Sequence, residues 1–83
     1  MSEFEISEHA RQMLEERGIL EALLRRTVDN PDRVEVGTDR NYHYIKAIAE
    51  HGDRFLRVVV NPYVNPRRVV VTLFFDRRLR RQR

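Results

Sequence analysis

The sequence predicts an α+β domain, with two N-terminal helices packed on one face of a small, mainly antiparallel sheet of three to four strands. Three observations predict it. Apolar residues between 7 and 28 recur at helical spacing, with one break at Gly18. Residues 42–75 switch to alternating and β-branched runs separated by turn formers. Helices followed by strands, without interleaving, form a helical layer on a sheet and leave its other face available. Residues 1–76 read as one domain and 77–83 as a basic C-terminal tail.

Each element has a local reason. Phe4, Glu5 and Ile6 read as a short edge strand or an extended lead-in. Ser7 is a good N-cap, because its hydroxyl can take a free amide of the first turn. Residues 7–17 form the first helix, with Ala10, Met13 and Leu14 on one stripe. Gly18 suits the left-handed residue that ends it. Ile19 to about Val28 form the second helix, with Ile19, Leu20, Leu23, Leu24 and Val28 on one face. Pro31 disfavours helix at Asn30 and ends it. Residues 33–36 are a candidate first strand of the main sheet, and Gly37 to Asn41 a turn. The next strands are Tyr42 to Ala49, Arg54 to Asn61 and Arg68 to Phe75. The last is the most apolar and is expected at the centre.

Eighty-three residues make one domain with a thin core. Cysteine is absent, which excludes disulfides and thiolate metal sites. No apolar run approaches the roughly 20 residues of a membrane span. Acidic residues follow Met1 at once, so no signal peptide is read and a cytoplasmic location is expected. Charge is asymmetric. Residues 1–41 carry six Arg against ten Asp or Glu, a net of −4. Residues 42–83 carry ten Lys or Arg against three acids, a net of +7. The second half is therefore the candidate anion-binding half.

Pairing residue 49 with 54 in the hairpin sets Lys46 opposite Arg57 and Tyr44 opposite Val59. Ile45 and Ala47 then meet Val58 and Leu56 on an aliphatic face that receives the helices. Tyr42, Tyr44, Lys46, Phe55 and Arg57 share the other face. Thr72 and Phe74 join it if Val69, Val71 and Leu73 point to the helices. Facing like charges repel unless water or an anion separates them. A phosphate would serve, with a fork from Arg57 and a point charge from Lys46. Tyr42 and Tyr44 would offer stacking surfaces for unpaired bases. Arg54 would add a phosphate contact. His9 stands in the first helical turn, where the dipole disfavours a charged ring.

The candidate catalytic set is therefore His9, Lys46 and Arg57, and the candidate nucleic-acid contacts are Tyr42, Tyr44, Arg54 and Thr72. The chemistry would be attack of a ribose 2′-hydroxyl on its adjacent phosphate, with His9 or His43 carrying the proton. Each residue also has a plainer role: His9 as a structural residue near the helix start, Lys46 and Arg57 as a solvated sheet face, and the tyrosines as ordinary strand residues. His43 is expected on the face away from Lys46. The three histidines lack ligand spacing, the glycines form no phosphate loop, and no serine-nucleophile motif occurs. No metal and no cofactor are expected.

Ser7, His9, Ala10, Met13, Glu16, Arg17, Gly18 and Ile19 resemble the opening of domain-of-unknown-function family 4258, a family of small bacterial proteins. Its members open with a short strand, Ser-x-His-Ala, a helix and Glu-Arg-Gly-Ile. Asn30-Pro31 and the closing strands look like that family too. The family looks like a distant relative of the RelE, ParE and BrnT toxins, which share a helices-on-sheet fold. That relationship implies a RelE-toxin-like architecture, an RNA substrate, metal-independent ribonuclease activity and an antitoxin-like protein partner. RelE-type toxins carry several polar catalytic groups on the sheet and C-terminal segment. Here the last strand offers Thr72 alone, and the end of the chain has no Tyr or His. Two readings follow: an RNA-binding or RNA-cleaving toxin-like domain, or a non-catalytic protein-interaction module on a degraded toxin fold. Oligomeric state is not legible.

Overall fold

Ser7 is the residue from which the architecture is most easily built. It closes strand β1 (Phe4–Ile6) and caps helix α1 (Glu8–Arg17). Its φ of −64° and ψ of 160° are still extended, while its Oγ accepts the Ala10 amide at 3.1 Å. The same hydroxyl donates to the Val71 carbonyl at 3.1 Å, and the Ser7 amide donates to Val70. One hydroxyl thus fixes the helix start against the last strand, as an N-cap with a second partner. Gly18 ends α1 at φ 62°, as its missing Cβ allows.

These features come from a computed structural model, which describes residues 4–64 and 66–79. The remaining elements are α2 (Glu21–Asp29), β2 (Arg33–Val36), β3 (Tyr42–Ile48), a 3₁₀ turn (Ala49–His51), β4 (Arg54–Asn61) and β5 (Arg68–Phe75). The fold is α+β, with two helices and one five-stranded mixed sheet of order β1-β5-β4-β3-β2. The expected three or four strands become five, because Phe4–Ile6 is a true strand paired parallel to β5. The other three pairings are antiparallel. β5 is internal as expected, but β4 holds the centre. Within the expected basic tail, Arg77–Leu79 turn back on Asp76, and residues 80–83 lie outside the described residues.

Helix α1 packs over β5, and α2 over β3 and β4. The core between them holds Leu14, Leu23, Leu24, Leu56, Val58 and Leu73, all buried. Leu20 is not part of it: as the α2 N-cap it is 69% exposed. Neither helix covers β2, whose four residues are all exposed. It is the outer strand on that side.

The register corrects the expected faces. Ile48, not Ala49, pairs with Arg54, so Lys46 stands opposite Leu56 and Ile45 opposite Arg57. The cause is the connection: Ala49–His51 make a 3₁₀ turn, and Gly52 and Asp53 both take positive φ. The Asp53 amide then closes on the Ile48 carbonyl. A one-residue slip moves every side chain of a strand to the other face. Tyr42, Tyr44, Lys46 and Ile48 therefore share the helix-facing side with Leu56 and Val58, while His43, Ile45 and Ala47 share the open face with Phe55 and Arg57.

β5 has its own irregularity. Thr72 pairs with Val59 but Val70 with Val60, so Val71 is an extra residue in a bulge. Thr72 and Phe74 lie on the open face, as expected, and Leu73 on the helix side. Val69 falls on the open side with Asn61, and Val70 rather than Val71 enters the core.

Candidate functional site

The open face of the sheet carries one connected group of ionisable side chains. Its centre is Arg57, 9% exposed, standing between Ile45 of β3 and Phe74 of β5. The Arg57 Nε donates to Asp76 Oδ2 at 2.9 Å. One terminal nitrogen lies 3.0 Å from His43 Nδ1 and 3.6 Å from Glu35 Oε1. A guanidinium only donates, so Nδ1 is the acceptor and the ring proton sits on Nε2. Nε2 in turn lies 3.3 Å from Asp39 Oδ1. The result is a carboxylate–imidazole–guanidinium chain with both ring nitrogens engaged.

Local structure places each member. Asp39 lies in the β2–β3 turn, closed by the Gly37 amide on the Asn41 carbonyl and by Arg40 in the left-handed region. Its carboxyl sits below the usual range, chiefly because the Asn41 amide donates to it; burial opposes this, and His43 adds to it. A side chain at Gly37 would push His43 or Asp39 aside, since an added Cβ would lie 2.5 Å from His43 Nε2 and 2.6 Å from Asp39 Oδ1. The missing side chain lets the imidazole and carboxylate meet over the backbone. Asp76 follows β5 directly, and its amide donates to Phe55. Its carboxyl is held down to about 2, first by the Arg78 side chain, then against the opposing effect of burial by the Arg78 amide and Arg57.

The residues singled out from sequence scatter across the molecule. Arg57 and Thr72 are on the open face, with Thr72 beside Val59. Lys46 is on the helix side, where its Nζ donates to the Asn30 carbonyl at 2.9 Å and faces Asp32 at 3.7 Å. It therefore caps the end of α2. His9 is exposed on α1, in the helical layer. Tyr44 is buried on the helix side and its hydroxyl accepts from Arg68 at 3.1 Å; Tyr42 packs against the same core. Arg54 lies over the Phe75 ring at 4.4 Å. His9, Lys46 and Arg57 thus share no cleft, and the expected Lys46–Arg57 pair does not form.

Sequence reasoning did not gather His43, Asp39, Glu35 and Asp76 into a site. The available signal was Gly37-Thr38-Asp39-Arg40-Asn41-Tyr42-His43, a tight turn that returns an acid toward a histidine four residues on. Among the described residues, no group of three or more His, Cys, Asp or Glu side chains could hold a metal ion. No helix among them is long and apolar enough to cross a membrane.

The fold and this face define a small α+β domain with helices on one side of a mixed sheet and a hydrogen-bonded charged cluster on the other. The chain belongs to the family described as Domain of unknown function (DUF4258), whose model matches residues 6–75. That span includes Glu35, Asp39, His43 and Arg57 and ends one residue before Asp76. No curated protein and no solved structure matches the chain.

Proposed function

We propose that this chain is a small toxin-like domain that engages RNA on its open sheet face, with His43 and Arg57 as the reacting pair. The observation that carries this reading is the Asp39–His43–Arg57 chain, which holds one imidazole in one tautomer beside a guanidinium. The resemblance to RelE-type folds supports it. So do Arg67 and Arg77, which flank β5 and form no ion pair among the described residues, whereas Arg54 and Arg68 turn to the helix side, toward Phe75 and Tyr44.

The chemistry runs through an exchange of partners. A phosphate oxygen accepts from the Arg57 terminal nitrogen in place of His43. That frees the Nδ1 lone pair to take a ribose 2′-hydroxyl proton, while Asp39 steadies the imidazolium. The 2′-oxygen–phosphorus bond forms and the phosphorus–5′-oxygen bond breaks. Neither of the other two histidines is at the pair, since His9 lies on α1 and His51 in the 3₁₀ turn. The leaving oxygen therefore takes its proton from water, and cleavage is slow relative to binding.

The test is incubation of purified protein with total RNA in chelator, beside His43→Ala and His9→Ala variants whose folding is checked by circular dichroism. Slow cleavage or salt-sensitive retention, lost in His43→Ala and kept in His9→Ala, is the expected result. A protein that neither cuts nor retains RNA would instead be the non-catalytic interaction module. One observation favours that second reading: Arg57 is already neutralised by Asp76 and Glu35.

A further inference from the structure

Strand β2 is an edge whose chemistry matches itself. Among the described residues no strand neighbours its outer side, and its residues are exposed on both faces. The Gly37 amide donates to the Asn41 carbonyl of the β2–β3 connection. Backbone direction alternates along a strand, so Glu35 and Arg33 also turn their amides toward β3. Val34 and Val36 then turn theirs outward, away from the sheet. Their side chains lie on the helix side, 47% and 67% exposed, beyond the cover of either helix. Arg33 and Glu35 point to the open face, where they contact each other at 3.2 Å.

A second copy pairing antiparallel along this edge must use the outward residues, and that leaves few registers. Placing Val34 on the two-fold axis joins each Val34 amide to the other copy's Val34 carbonyl. It sets Arg33 opposite the second copy's Glu35, twice, at the closely spaced type of pair. The exposed valines meet on the helix side in the same step. The neighbouring register sets Glu35 against Glu35, like charges face to face, and is rejected. One register therefore satisfies backbone, apolar surface and charge together.

We infer that two copies of this chain associate through β2 in this register, forming a continuous ten-stranded sheet. The area is small beside the roughly 1,200–2,000 Å² of a stable interface, so the dimer is weak and concentration-dependent. Both charged clusters lie on one face of the joined sheet, because the two-fold axis stands perpendicular to it. Glu35 touches both the seam and Arg57, so the dimer edge reaches the cluster directly.

Sedimentation equilibrium on the full chain up to about 1 mM tests this, since a contact weaker than that is negligible. The wild type is expected to approach twice its 10.0 kDa mass, with exchange of the Val34 amide slowing as concentration rises. Val34→Pro removes an amide that points away from β3, so the fold persists and the dimer is lost. Arg33→Glu and Glu35→Arg are each monomeric alone, yet form a heterodimer when mixed, because every cross-strand pair is again opposite in sign. A wild type that stays monomeric overturns the inference. So does a dimer that survives Val34→Pro, or charge variants that fail to associate on mixing while folded by circular dichroism.

Discussion

The two faces of the sheet are sealed by different chemistry. The helix side is closed by aliphatic side chains, with Leu24, Leu56, Val58 and Leu73 fully buried. The open side buries Ile45 and Val59, which lie outside that cluster, beside Arg57 and His43. Apolar packing tolerates imprecision and has no titrating group and no ion pair to be screened. A charged network is worth its geometry and little more: each member left unpaired is a liability. A domain with one thin core thus uses a nonspecific seal on one face and a specific one on the other.

Mutations should separate the two. Leu24→Ala, on the helix side, is expected to remove the most, about 3–5 kcal/mol by urea denaturation, because the side chain is fully buried and its loss leaves a cavity. Asp76→Ala follows at about 2–3 kcal/mol, since Arg57 loses its closest carboxylate but keeps His43 and Glu35. If the two losses prove equal under all conditions, the contrast between faces fails.

Acid sharpens the contrast. The Asp76 carboxyl lies below its ordinary 3.8, at about 2. A depressed acid adds stability that is fully present above the unfolded value and vanishes as pH falls through the folded one. About 2 kcal/mol should therefore disappear from wild type between pH 5 and pH 1, and not from Asp76→Ala. Part of this should also fade in salt, because Arg78, its first cause, is 81% exposed.

Gly37→Ala comes next. Its methyl would displace the His43 ring from Asp39, with an expected loss of about 1–2 kcal/mol and changed nitrogen shifts for His43 in NMR. Unchanged His43 shifts would mean that the turn does not hold the ring. Smallest is Glu50→Gln, which removes a bidentate but exposed pair with Arg26. Its melting temperature should match wild type within error.

The open-face network was the least legible part in sequence, and the reason is specific. The two helices, their cap at Ser7 and stop at Gly18, and the spans of β2, β4 and β5 follow from local chemistry. The faces of β4 also follow, because its alternation leaves only Leu56, Val58 and Val60 for the core. β3 was ambiguous: Ile45 and Ala47 on one side compete with Tyr44 and Ile48 on the other. Which side faces the helices depends on one residue in the connection, and Asp53 in the left-handed region decides it. Asp76 joins Arg57 from nineteen residues away, and its role is invisible until β5 is placed. The parallel β1–β5 pairing is equally non-local, so Phe4–Ile6 read only as an edge or lead-in.

That pairing bears on how the chain comes off the ribosome. Ser7 binds Val71, sixty-four positions downstream, and among the described residues β1 pairs with β5 alone. During synthesis strand β1, with the helix start it anchors, must wait until β5 has emerged. Long loops of this kind close late, since their entropy is lost before their contacts form. A strand translated before the helices is thus among the last to be locked, and a stall before residue 70 would leave it in search of an edge.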